Sequence, residues 1–443
     1  MVEKYTAQNT FDVLRKHILV DGYPVVVDLE KSRGSHLIDA QSGKTYFDFF
    51  SFFASNPLGF NHPRMNDSAF LKTLTRCAKI KPVLADIYTP EYAEFVDTFA
   101  RLAGSHHFTR YFFIEGGSLA VENALKTAFD WKVRKNLSKG RGEKGSQVIH
   151  FKQAFHGRSG YTMSLTNTDP KKIMYFPKFN WPRINNPKLS FPLTDEIKKE
   201  VIESEKLAIK QIEEAFDLNP DDIACIIIEP IQSEGGDNHF RGEFLQKLRQ
   251  ICDEKEALLV FDEVQTGIGL TGRFWAWEHF NVKPDILAFG KKTQTCGIAA
   301  SDRIMDVDNV FKISSRINST FGGNLTDMVR CNQYLKIIEE EKLEKNAAAQ
   351  GEYILSQLLK LSEKYEQMSN VRGRGLMVAF DLPTSKERDE YRRAAWDLGL
   401  LVLICGERSI RLRPVLDISK ADVDEAMGLF GATFKKIYER KKS

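Results

Sequence analysis

The sequence predicts an α/β protein: a large, mostly parallel sheet flanked by helices, with a smaller α+β unit built from the N- and C-terminal parts of the chain. Two observations carry that expectation. Short apolar runs of the kind that form fully buried strands recur at Val148-Ile149-His150-Phe151, Cys225-Ile226-Ile227-Ile228, Ala257-Leu258-Leu259-Val260-Phe261 and Ile286-Leu287-Ala288-Phe289. From about Asn56 onward they alternate with helical patterns, the signature of an α/β sheet. Ligands in such sheets sit at the carboxyl ends of the strands. There the third run ends on Asp262 and Glu263, and the fourth on Gly290 and Lys291.

An acid and a lysine aimed into one cleft suit an aromatic cofactor that carries a ring nitrogen and an aldehyde. Pyridoxal phosphate has both, and needs a Schiff-base lysine and an aspartate on its pyridinium nitrogen. An apolar strand ending in Asp-Glu also looks like a Walker B element, so an ATPase is the rival enzyme class. That rival requires Gly-x-x-x-x-Gly-Lys-Ser/Thr. Gly43-Lys44-Thr45 has Ile38 where the first glycine belongs, and Gly290-Lys291-Lys292-Thr293 has Asp285 there. On spacing alone a plain reading also stays open, with Asp262 capping a turn and Lys291 solvated.

Composition is that of an ordinary globular protein: 443 residues, 42% hydrophobic and 28% charged, enough for a large core and more than one domain. The net charge of +3 is spread along the chain, which argues against a nucleic-acid or membrane partner. The densest basic patch, Lys132 to Lys144, is interrupted by Gly140 and Gly142 and reads as an exposed loop. Thirty-one Phe is a high count and predicts aromatic-rich packing or an aromatic-lined site. The six cysteines include no Cys-x-x-Cys pair, so neither a metal site nor a disulfide framework is expected. With no signal peptide at Met1-Val2-Glu3-Lys4-Tyr5, a cytoplasmic placement follows.

Taken in order, residues 1–20 read as a helix, with Phe11, Leu14, Ile18 and Leu19 at helical spacing. Val25 to Leu29, Ser35 to Asp39 and Thr45 to Phe49 read as a small strand meander turned by Gly34 and Gly43. Gly116-Gly117-Ser118 precedes a good helix; glycines there let the first amides approach an anion, although the same pattern serves a plain helix start. Phe155 could cover a flat cofactor face and Arg158 could fork onto a carboxylate, but core Phe and surface Arg fit equally well. Pro170 to Pro192 reads as a long irregular loop over the site, followed by a solvated helix from about Thr194 to Phe216. Glu243 to Glu254 is an amphipathic helix, and roughly Arg330 to Leu361 is helical. Strands at Met377 to Phe380, Leu401 to Ile404 and Ile410 to Pro414 complete the second unit. The resulting division is an N-terminal segment over 1–55, a large cofactor-binding domain over 56–329 and a C-terminal small domain over 330–443.

In order along the chain stand Asp39, Gly43, Tyr46 and Asp48; Gly117-Ser118; Phe155-His156-Gly157-Arg158; Glu229-Pro230; Phe261-Asp262-Glu263-Val264-Gln265-Thr266-Gly267; Gly290-Lys291; and Arg411-x-x-Pro414. This set resembles the class III (fold type I) pyridoxal-phosphate aminotransferases over essentially the whole chain. Two stretches, Ala288 to Gly297 and Asn318 to Asp327, are similar to the L-lysine 6-aminotransferase group within that class. Ser118 stands where those lysine enzymes are expected to carry alanine, a change that phosphate binding by backbone amides tolerates.

The resemblance implies a homodimer that moves the ε-amino group of L-lysine to 2-oxoglutarate, with ornithine or 4-aminobutyrate as rival donors. It implies Lys291 as Schiff-base lysine and proton shuttle, Asp262 on the ring nitrogen, Gln265 near the cofactor or substrate, and Phe155 stacked on the ring. It implies Gly117 and Ser118 at the phosphate, joined by Thr320 from the partner subunit, and places Asn318 beside the substrate. Arg158 and Arg411 become the carboxylate forks, with Glu234 masking Arg411 by pairing with it while lysine is bound.

Overall fold

The computed structural model describes residues 5–439. Near its start β1 (His36–Ile38) and β2 (Thr45–Asp48) form an antiparallel hairpin. Gly43, at φ 72°, takes the left-handed turn position that suits glycine. The expected strand at Val25 to Leu29 is not formed beyond a single bridge from Val27 to Asp39. The Asp39 carboxylate accepts the Val26 amide at 3.1 Å, engaging a donor that a strand ladder would use. The N-terminal helix is also shorter than expected. It covers Thr10–Arg15, and the first four residues of the expected span lie outside the described ones. Leu14, Ile18 and Leu19 are 39%, 57% and 84% exposed, so the apolar face that predicted a longer helix is poorly covered by the described residues.

The large sheet holds β3 (Phe108–Ile114), β4 (Gln147–Phe151), β5 (Arg183–Ile184), β6 (Ile223–Ile228), β7 (Leu258–Asp262), β8 (Ile286–Phe289) and β9 (Cys296–Ser301), in the order β3-β9-β8-β7-β6-β4-β5. From β8 to β5 the pairing is parallel, whereas β9 runs antiparallel to both β8 and β3. Ile226, Ile228, Leu259, Phe261, Leu287 and Phe289 join one core cluster, and Cys225, Ile227, Leu258, Val260, Ile286 and Ala288 another. Both faces of these strands are buried, which is why they read as unbroken apolar runs.

The helix Gly117–Ser138 packs against this sheet and buries Trp131. It also takes in much of the expected exposed basic loop. Lys132 is 2% exposed and donates to the Glu256 carbonyl at 2.8 Å, so the loop begins only after Ser138. The helical stretch expected over 330–361 is two helices, Leu325–Glu340 and Leu343–Lys364, separated where Lys342 turns to φ 55°.

The smaller sheet holds β10 (Ser369–Arg374), β11 (Met377–Asp381), β13 (Leu403–Cys405) and β14 (Ser409–Leu412), in the order β10-β11-β14-β13. Between them β12 (Leu400–Leu401) leaves to pair in parallel with β2. The run expected as one strand over Leu401 to Ile404 therefore divides at Val402 between two sheets, tying the N-terminal hairpin to the C-terminal segment. Among the described residues no cluster of His, Cys, Asp and Glu could hold a metal ion, and no helix is long and apolar enough to cross a membrane.

Candidate active site

Strands β7 and β8 are neighbours, with Asp262 opposite Ala288, so the acid that ends β7 and the lysine beyond β8 emerge side by side. Gly290 forms the link; a Cβ there would stand 2.8 Å from the Cys296 sulfur. Lys291 itself is held at φ 55°, a strained backbone for a residue with a side chain. Burial, reinforced by the Arg411 guanidinium, pushes its amine below the ordinary lysine range, against the pull of Asp262. Its neighbour Lys292 points elsewhere: it is 2% exposed and donates to the Gln265 carbonyl at 2.9 Å.

Asp262 is buried, accepts the Val264 amide at 3.1 Å and meets His156 Nδ1 at 2.8 Å. His156 is fixed in turn through its amide, which donates to Thr166 Oγ1 at 2.9 Å. In the sequence His156 stands only as a neighbour of Phe155, with nothing to mark its partner. The amides of Phe155 and Ser233 both donate to Glu229, at 3.0 Å each, so this buried carboxyl joins the two loops of the site. Burial pushes Glu229 up to about 7.

Gly116, at φ 94°, leads into the helix at Gly117, whose first turn has no side-chain cap. The leading amides are thus free to meet an anion, with the helix dipole behind them. Ser118 Oγ lies 2.6 Å from Ser159 Oγ and 2.8 Å from Thr162 Oγ1. Gly157 must be glycine beside it, since a Cβ would fall 2.3 Å from Ser118 Oγ. An uncapped helix start, a buried acid fixed by histidine and a lysine of depressed basicity together fit pyridoxal phosphate.

The carboxylate side is arranged differently from expectation. Arg411, on β14 and 5% exposed, donates through Nη1 to Ser233 Oγ at 2.7 Å, and its buried Nε has no partner among the described residues. Glu234 does not pair with it. The Glu234 Oε1 atom instead accepts from Thr168 Oγ1 at 2.9 Å and forms an ion pair with Lys172. A neutral hydroxyl sits on Arg411, and a lysine from the 170–192 loop holds the acid. Ser233 also donates to Gln265 Oε1 at 2.9 Å, while Gln265 Nε2 donates to the Phe53 carbonyl at 3.1 Å.

That carbonyl belongs to an unusual turn. Ser51, Phe52, Phe53 and Ala54 run at φ 38°, 52°, 59° and 59°, a left-handed turn made without glycine. Phe52 and Phe53 line a cleft of about 1220 Å³ together with Lys172, Glu234 and Arg411. Nothing in the sequence around Ser51 announces that geometry.

Arg158 is exposed, and no carboxylate of the described residues pairs with its guanidinium. Asn318 and Thr320 lie exposed on the loop that precedes Leu325–Glu340; among the described residues neither bonds to Lys291 or Asp262. That loop rests on the chain near Leu84, whose amide donates to the Phe321 carbonyl at 3.1 Å.

Comparison with known proteins places the chain in a family. The L-lysine-epsilon aminotransferase of Mycobacterium tuberculosis is 49% identical over 426 residues, covering 95% of this chain and 94% of that one. The protein of the same name from Streptomyces clavuligerus is 46% identical over 437 residues, with coverage of 98% and 95%. A solved structure described as lysine aminotransferase from M. tuberculosis in the internal aldimine form superposes with a TM-score of 0.95 at 47% identity, covering 98% of this chain and 100% of that one. The family model for class-III aminotransferases matches residues 19–434, and the chain accordingly belongs to the class III aminotransferases, enzymes of fold type I that use pyridoxal phosphate.

Proposed function

We propose that this enzyme transfers the ε-amino group of L-lysine to 2-oxoglutarate, releasing L-2-aminoadipate 6-semialdehyde and L-glutamate. The observation that carries the reading is a lysine of lowered basicity beside a buried acid, in the field of a buried arginine that has hydrogen-bonding capacity to spare. The names of the relatives at 46–49% identity support lysine as the donor.

When bound, pyridoxal phosphate supplies an aldehyde that takes up amino groups and a protonated ring that stabilises a carbanion. Lys291 Nζ, whose basicity burial lowers, takes the proton from the amine-bearing carbon of the donor and returns it to the other end of the transfer. Asp262 keeps the ring nitrogen protonated, and His156 holds the Asp262 carboxylate in place. Gln265 would lie near the cofactor or substrate, Phe155 would cover the ring, and the amides of Gly117 and Ser118 would hold the phosphate. Arg158 takes the one carboxylate of lysine, which lies far from the reacting ε-carbon. 2-Oxoglutarate brings a second carboxylate beside its reacting carbon, and that one goes to Arg411. Glu234 swings onto Arg411 while lysine is bound and off it for the acceptor.

Thr320, and Asn318 beside the substrate, act across a homodimer interface. Ile80, Ile87 and Tyr88, 75%, 67% and 72% exposed, flank the loop that carries these residues and support such an interface. Six free, buried cysteines suit a reducing cytoplasm. The test is an amine-donor panel with 2-oxoglutarate as acceptor. Lysine is expected to give the highest kcat/KM; preference for ornithine or 4-aminobutyrate would replace it as the donor.

A further inference from the structure

We propose that Lys172 is a positioning residue that competes with Arg411 for Glu234 and so sets the balance between donor and acceptor binding. This inference rests on the role given above to Glu234.

The backbone of Glu234 is held at both ends. Its carbonyl accepts the Gly406 amide at 2.8 Å, and the preceding Ser233 amide donates to Glu229 at 3.0 Å. Any change of partner is therefore a side-chain movement. The side chain now sits on Lys172, which ends the short turn Pro170–Lys172. That turn is well supported: Asp169 Oδ1 accepts the Lys171 amide at 3.0 Å, and the Asp169 carbonyl accepts the Lys172 amide at 3.1 Å. The Lys172 ammonium also lies 5.6 Å from the centroid of the Phe155 ring, and Thr168 donates to the same Glu234 oxygen at 2.9 Å. Lysine, glutamate and Arg411 share one cleft.

Glu234 thus has two cationic partners to choose between. While Lys172 holds it, Arg411 keeps, among the described residues, only the neutral Ser233 hydroxyl and is ready for the carboxylate beside the keto carbon of 2-oxoglutarate. The Lys172 and Glu234 side chains are 32% and 23% exposed, so the pair is solvent-screened and of modest strength. A modest bias is what an exchange between two substrates requires. A strong one would lock the site in one state.

The experiment compares the separate half-reactions of the holoenzyme with L-lysine and with 2-oxoglutarate by stopped flow, in wild type, Lys172→Met, Lys172→Arg, Glu234→Gln and the Lys172→Met/Glu234→Gln double variant. Lys172→Met releases Glu234 onto Arg411. It is expected to raise the apparent Kd for 2-oxoglutarate about fivefold while leaving the limiting rate within about twofold. The lysine half-reaction should be unchanged or improved, and Lys172→Arg should restore the acceptor affinity. In the Glu234→Gln background the Lys172→Met effect should vanish, because no acid remains to be held. An unchanged acceptor affinity in Lys172→Met, or equal slowing of both half-reactions, would overturn the proposal. So would an effect that persists without Glu234, which would mean that Lys172 meets the substrate directly. If Glu234→Gln alone changes neither half-reaction, the role assigned to Glu234 fails first and this inference falls with it.

Discussion

At the ends of β7 and β8, each group of the cofactor side has one arrangement open to it. Asp262 is wedged between His156 and the Val264 amide, and Gly290 lies against Cys296 with no room for a side chain. Across the cleft, Arg411 rests on a neutral hydroxyl and a single Glu234 oxygen takes both Thr168 and Lys172. The difference follows from what each side must do. The ring nitrogen must stay protonated through every turnover, and a buried acid with fixed partners preserves that. On the function proposed above, two substrates of different charge share the other side, where a partly exposed pair can be exchanged.

The largest effect should come from breaking the rigid side. Asp262→Asn keeps shape and hydrogen bonding but cannot hold the ring nitrogen protonated. Turnover should fall about a thousandfold while the cofactor still binds; near-normal kcat with cofactor present would remove Asp262 from its role. Borohydride reduction followed by peptide mapping should place the label on Lys291, and label on Lys292 would shift the register of the whole site.

A smaller loss is expected one contact further out. His156→Ala leaves the buried Asp262 oxygen without its partner, and an unsatisfied buried acceptor costs about 1–3 kcal/mol or more. Activity should drop about ten- to a hundredfold, with a change in the cofactor's absorption because the ring nitrogen is affected. Unchanged activity and spectrum would show that Asp262 does not depend on His156.

These two regions were unequally legible in the sequence. Strands buried on both faces announce themselves as unbroken apolar runs, so β6, β7 and β8 and the residues at their ends could be read directly. Strand β9 could not, because Gly297, Ala299 and Ala300 are small and show no alternation; their size serves close approach to β3, where a Cβ on Gly297 would lie 2.1 Å from the Phe112 carbonyl. The Lys172–Glu234 pair joins residues 62 positions apart, through a loop without periodicity. The shortened N-terminal helix failed for another reason: apolar spacing reports a buried face without saying which chain buries it.

The mildest predicted effect concerns acid stability. Burial, together with Arg183 and His156 nearby, pushes His150 on β4 down to about 3. A histidine depressed in the fold lends stability that is complete above its unfolded pKa of about 6.5 and is lost as the pH falls from there towards 3. His150→Gln removes this dependence. Its stability relative to wild type should therefore improve by about 2 kcal/mol between pH 7.5 and pH 5, measured by urea titration. A difference that stays constant across that range would show that His150 is not held neutral.

The most direct test of the function follows the nitrogen itself. Holoenzyme is incubated with 2-oxoglutarate and lysine labelled with nitrogen-15 at either the ε or the α position, and the glutamate formed is analysed by mass spectrometry. A lysine fixed by its distant carboxylate and reacting at the ε-carbon delivers the label to glutamate only from the ε position. Label arriving from the α position, or no labelled glutamate from either, would contradict the assignment of Lys291, Asp262 and the two arginines to ε-transamination.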